Sequence, residues 1–189
     1  ADAGYPRESI DTVLCTHLHV DHVGWNTMFV DDKWVPTFPN ARYLIAAKEW
    51  AYWDANEDES KYGPVLADSV RPKVEAGLVD LVKEDHKLCA EVQLQSTPGH
   101  TPGHVSVHIS ASDSEALITG DCIHHPVQMT KTHWCSSADF DQEQGQSTRE
   151  SLLERYVDED ILIIGTHFAS PTAGHVKHHP QGGYWLDVE

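Results

Sequence analysis

The chain has 189 residues, with 13 Lys and Arg set against 30 Asp and Glu, a formal net charge of −17 with histidine neutral. That balance argues against nucleic acid or an anionic membrane surface as a partner, because both demand a basic face, and no run of roughly eighteen apolar residues or charged-then-apolar leader points to a membrane span or signal peptide. The length suits one domain with a real core, and Cys15, Cys89, Cys122 and Cys135 form neither a CxxC pair nor a scaffold spacing, which reads as reduced thiols in a cytoplasmic protein.

In chain order, Ile10 to Thr16 is an apolar, β-branched run that predicts a strand. It leads directly into Thr16-His17-Leu18-His19-Val20-Asp21-His22-Val23-Gly24. In extended backbone His17 and His19 project to one side, and a turn beginning at Asp21 can swing Asp21 and His22 round to join them. Imidazoles with one carboxylate suit zinc first, then iron, manganese or cobalt; thiolate is absent and hard oxygen donors are too few for calcium. Solvated loop histidines are the bland alternative, but a plain loop rarely carries this pattern behind a strand.

The Pro-rich stretch Asp31 to Asn40 reads as a loop or short hairpin, and Ala41 to Ala46 as a strand. Lys48 to Asn56 is helix-forming, with Trp50, Tyr52 and Trp53 packing on the core rather than lining a pocket. Asp68 or Ser69 is expected to cap a helix running to Glu75, with Pro72 in its first turn and Gly77 ending it. Leu78 to Val82 and Glu91 to Gln95 read as strands. Val105, Val107 and Ile109 alternate with Ser106, His108 and Ser110, predicting a half-buried strand. Ala116 to Thr119 and Ile161 to Ile164 are further strands, and Ser147 to Val157 is a helix with Leu152, Leu153, Tyr156 and Val157 on one face. The tail from Ala169 to Tyr184, with His175, His178 and His179, reads as loop or pocket rim.

Four of these apolar runs end in a small residue or tight turn and then a metal-binding side chain: His17 and its neighbours, His100 after Pro98-Gly99, Asp121 after Gly120, and His167 after Gly165-Thr166. Ligands at like ends of strands can meet in a layered α/β protein.

This series, His17-x-His19-x-Asp21-His22, Pro98-Gly99-His100, Gly120-Asp121 and Gly165-Thr166-His167, resembles the ligand series of the metallo-β-lactamase superfamily in its hydrolase branch. The resemblance implies an αββα sandwich in a single domain over residues 1–189. It also implies that His17, His19 and His100 hold one divalent ion, Asp21, His22 and His167 a second, and that Asp121 bridges them. Two zinc ions are the expected cofactors, with iron, manganese or cobalt as alternatives. Family members carry further strands before the HxHxDH segment, so N-terminal strands are expected to lie outside this chain.

Within the superfamily the likeness is greatest to quorum-quenching lactonases and related esterases. There, a tyrosine three residues past the bridging aspartate often polarises the substrate carbonyl; here that position is His124, a candidate hydrogen-bond donor. Cys122 reads as a buried thiol and His104 as a supporting residue rather than a ligand. The expected activity is attack of a metal-bridging hydroxide on a lactone or other carboxylic ester, with Asp21 carrying the proton. Phosphotriester hydrolysis and a catalytically silent metal-binding interaction domain are the alternatives. The expected partners are a small ester or lactone and, in a homodimer, a second copy of the chain.

Overall fold

The computed structural model describes residues 4–56 and 64–189. The chain separates into two compact units, Ala1–Lys83 and Glu84–Glu189.

In the first unit, strand β1 (Thr12–Leu14) is followed by a short helix α1 (Val20–Val23), a hairpin β2 (Thr27–Val30) and β3 (Lys33–Pro36), then β4 (Arg42–Ala46), helices α2 (Ala47–Ala55), α3 (Val65–Ser69) and α4 (Arg71–Glu75), and β5 (Val79–Val82). Strands β1, β4 and β5 form a parallel sheet with β4 central. Tyr43, Leu44, Ile45 and Ala46 are accordingly all buried, as expected where both faces of a parallel sheet are covered. Beneath it Cys15, Leu18, Val23, Ile45, Leu66 and Val70 form a core, with Trp50 and Trp53 packed against it.

The hairpin resolves the Asp31 to Asn40 stretch. Asp31 and Asp32 take φ of 48° and 60°, the left-handed pair that a two-residue turn between twisted strands needs and that aspartate tolerates. The single helix expected to start at Asp68 or Ser69 is instead two short helices broken at Val70 (φ −122°, ψ −52°), and neither side chain caps one. A continuous helix would drive the Pro72 ring into the Asp68 carbonyl, so the chain restarts with proline in the first turn. Residues 57–63, between α2 and α3, lie outside the described residues.

The second unit is built on a six-stranded sheet in the order β11-β10-β9-β8-β7-β6. Its strands are β6 (Val92–Ser96), β7 (Val105–Ser110), β8 (Glu115–Ile118), β9 (Ile161–Ile164), β10 (Ala173–His178) and β11 (Tyr184–Asp187), with helices α5 (Val127–Thr130) and α6 (Gln142–Tyr156) in the connections. Only β8 and β9 pair in parallel; the other pairs are antiparallel. Strands β6, β8 and β9 therefore point the same way, and their C-terminal ends share one edge of the sheet. The core joins Leu117, Ile161, Ile163 and Val176 to Leu152, Leu153 and Tyr156 of α6.

Three expectations change here. Strand β7 does not alternate at its start, because Ser106 is as buried as Val105, bonding the Thr97 hydroxyl at 3.0 Å and the Thr119 carbonyl at 3.0 Å. Helix α6 begins five residues earlier than Ser147, where the Asp141 side chain accepts from the Gln144 N–H. The tail contains a strand: His175 and His178 stand on β10, within reach of Asp160 at 3.6 Å and Asp158 at 2.7 Å respectively. Gly174 permits this pairing, since a Cβ there would lie 2.2 Å from the Asp187 carbonyl oxygen.

Candidate metal centre

In the first unit the backbone leaves β1 at Leu14 and turns into α1, with His19 just before the helix. The imidazoles of His17 and His19 lie 4.7 Å apart between centroids, those of His17 and His22 4.0 Å. His22 Nε2 is 3.6 Å from an Asp21 carboxylate oxygen. The four side chains that the sequence singles out are thus neighbours. His17 is fully buried, while the Asp21 side chain is about half exposed. The support comes from Glu49 on α2, itself buried: one oxygen accepts from the Leu18 N–H at 3.0 Å and from the Trp53 indole at 2.8 Å. Glu49 so holds the residue between the two histidines, and Trp53 lies 5.6 Å from the His19 ring.

In the second unit β6, β8 and β9 deliver His100, Asp121 and His167 to one edge. Asp121, 3% exposed, is central. Its Oδ2 lies 3.4 Å from His100 Nε2, 3.3 Å from His124 Nε2 and 3.2 Å from His167 Nε2. His100, Asp121 and His124 offer donor atoms all within 4.8 Å of one another. Two donors bound tetrahedrally at about 2.0–2.1 Å stand roughly 3.3–3.4 Å apart. The separations of His100 and His167 from Asp121 Oδ2 are each those of neighbouring donors to a divalent cation, and the donor set, imidazole and carboxylate without thiolate, suits zinc and its neighbours.

Several side chains fix these donors. His104 is fully buried; its Nε2 accepts from the Asp121 backbone N–H at 2.9 Å and its Nδ1 meets the Thr97 carbonyl at 3.0 Å. It props the backbone of Asp121 rather than joining the donors at Oδ2. Gln128 on α5 accepts from the His124 N–H at 2.7 Å and donates to the Trp134 carbonyl at 2.7 Å. Cys122 is a buried thiol, pushed up to about 12 by burial, with Arg149 opposing and Asp139 and Asp121 adding to the rise.

Sequence reasoning missed Asp139 and Arg149. Asp139 Oδ1 lies 2.8 Å from His100 Nδ1, and Oδ2 accepts from the Ser136 N–H at 2.8 Å. Burial alone would raise its carboxyl, but the bonds to His100 and Ser136 prevail and hold it below the usual range. Arg149, 1% exposed, donates to the carbonyls of Cys122 and Thr132 and lies 3.9 Å from Asp139. Neither residue sits in a motif; Arg149 is a charged residue on the buried face of α6, and Asp139 lies in the turn before that helix.

The chain belongs to the metallo-beta-lactamase superfamily, whose family model matches residues 1–167. It is similar to an N-acyl homoserine lactonase from a Bacillus species, 27% identical over 168 residues, 87% of this chain and 58% of that relative. Among solved structures, the hydrolase AbOPH of the beta-lactamase superfamily superposes with a TM-score of 0.85 at 24% identity, over all of this chain and 67% of its own. AidC, a dizinc quorum-quenching lactonase solved with a homoserine product, gives 0.80 at 22%, over all of this chain and 67% of its own. The chain therefore spans a little under three fifths of the lactonase it matches in sequence, and the structural likeness carries the fold. Among the described residues no helix is long and apolar enough to cross a membrane.

Proposed function

We propose that the protein is a two-metal hydrolase of lactones or other carboxylic esters, a single metallo-hydrolase domain over residues 1–189. The observation that carries this reading is the Asp121 carboxylate with three imidazole nitrogens at 3.2–3.4 Å from one oxygen. The proposed ligands are His17, His19 and His100 for one ion, Asp21, His22 and His167 for the other, with Asp121 bridging. Divalent ions held by these residues, zinc first, would make a water nucleophilic near neutral pH by lowering its pKa from 15.7 to about 7, and would polarise the carbonyl to be attacked.

The chain's own residues supply the rest. Asp21, partly exposed beside His22, takes up the nucleophile's proton and passes it to the leaving alkoxide oxygen. His124 sits on the rim: its Nε2 faces Asp121 Oδ2 while its Nδ1 is buried. A proton on Nε2 makes it a hydrogen-bond donor for the carbonyl oxygen as negative charge develops there. The buried backs of the site, His104, Gln128 and Glu49, keep these groups from swinging away.

The lactone assignment draws on the named activities of the relatives, and the histidine at position 124, where such lactonases often carry tyrosine, is the reason to test phosphotriesters beside it. The zinc-loaded protein is to be assayed on an acyl-homoserine lactone, an aryl ester and an aryl phosphotriester. Lactone or ester turnover that disappears in Asp121→Ala and His22→Ala supports the proposal. Preferential phosphotriester turnover moves it to the other substrate class, and a zinc-loaded protein inert on all three favours a silent interaction domain.

A further inference from the structure

We infer that Asp139 is a positioning residue of the metal site: it keeps the His100 proton on Nδ1 and so presents His100 Nε2 as a bare lone pair toward Asp121. This rests on the metal-centre reading above and adds to it a residue 39 positions downstream of His100.

The Pro98-Gly99-His100 turn is clasped by the segment that enters α6: Phe140 N–H donates to the His100 carbonyl at 3.0 Å, Asp141 N–H to the Gly99 carbonyl at 2.9 Å, and the Thr148 hydroxyl to the Pro98 carbonyl at 2.6 Å. These backbone bonds fix the position of His100 without setting which ring nitrogen carries its proton. Asp139 sets that. An ionised carboxylate can only accept, so Nδ1, 2.8 Å from Oδ1, must donate. Its Oδ2 is in turn held by the Ser136 N–H, and Arg149 approaches from α6. Both side chains of the pair are almost wholly buried, so water does not compete for the bond.

The consequence falls on the other nitrogen. With the proton on Nδ1, a neutral His100 turns a lone pair on Nε2 toward a carboxylate oxygen 3.4 Å away. Two acceptors at that separation repel unless a cation lies between them, and that separation is the one a tetrahedral metal imposes on its donors. Carboxylates behind metal-bound histidines commonly act in this way, and their loss weakens metal binding by about 10–100-fold.

Two measurements test the inference on the intact protein. Long-range proton–nitrogen correlation spectra of the wild type at neutral pH report which ring nitrogen of His100 is protonated, with zinc and without. The expected result is Nδ1–H in the zinc-loaded protein and a neutral Nδ1–H ring, or an imidazolium, without zinc. An Nε2–H tautomer in the zinc-free wild type overturns the inference. Zinc titration against a chromophoric chelator then compares wild type with Asp139→Leu, which has nearly the same shape and no acceptor. A loss of about 10–100-fold at one of two zinc ions supports the inference; wild-type affinity in the variant overturns it. Failure of the wild type itself to bind zinc is a different result, because it overturns the metal-centre reading first. Should the variant fail to fold, the wild-type spectrum still decides.

Discussion

Lys73 lies on α4, fully buried, its ammonium 4.8 Å above the Tyr43 ring, and Nζ has no hydrogen-bond partner among the described residues. Burial lowers its pKa from 10.5 to about 8, opposed weakly by Cys15. The difference of about 2.5 pH units, at about 1.4 kcal/mol each, corresponds to a cost of roughly 3.4 kcal/mol for keeping the lysine charged in the folded state at pH 7. The cation–π contact returns about 1 kcal/mol of this. Methionine fills nearly the same volume without the charge, so Lys73→Met is expected to stabilise the protein by about 2 kcal/mol at pH 7.

The pH dependence gives this prediction its signature. Because the folded pKa lies below the unfolded one, the unfolded chain holds more protons between about pH 8 and 10.5, and wild-type stability gains on the variant as pH rises through that window. Below pH 8 the gap should stay at its full size. Urea unfolding of both proteins at pH 7, 8.5 and 10 measures it. A variant less stable than wild type at pH 7, or a gap that stays constant up to pH 10, would refute the reasoning.

Other predictions follow from the walls of the site. Gly99 has φ of +134°, and a Cβ there would lie 2.4 Å from the Gly145 backbone. Gly99→Ala should therefore cost on the order of 3 kcal/mol in denaturant melts, from strain and overpacking together, and reduce zinc binding by displacing His100. Removing the Asp141 cap with Asp141→Ala should cost about 1 kcal/mol while leaving zinc stoichiometry intact. Arg149→Ala leaves the carbonyls of Cys122, Thr132 and Trp134 and the buried Asp139 carboxylate without their cation; a loss of about 3 kcal/mol is expected, read as a lower urea midpoint.

The donors were legible because each follows directly from a local pattern, a strand run ending in a turn and then a His or Asp. Their supports were not. Glu49 bonds a backbone group 31 residues away and Asp139 a ring 39 residues away, and no periodicity links such pairs. Strand β10 escaped notice because it buries only Gly174 and Val176 among histidines and a lysine, so its face has almost no apolar signature. The start of α6 was hidden by its composition: Gln142 to Gln146 is polar apart from Gly145, a residue that usually argues against a helix, and the close approach of its backbone to the Gly99 turn depends on Gly99, which has no room for a Cβ. At Val70 the break comes from Pro72, whose ring in a continuous helix would meet the Asp68 carbonyl.

The central claim, a hydrolase working through two metal ions, is tested most directly by counting metal and measuring lactone hydrolysis on the same sample. The protein is purified without added metal, analysed by elemental mass spectrometry, then assayed before chelation, after it, and after zinc is restored. The account predicts close to two divalent ions per chain, hydrolysis lost with the metal, and hydrolysis regained with zinc. Undiminished hydrolysis by protein shown to be free of metal would contradict it.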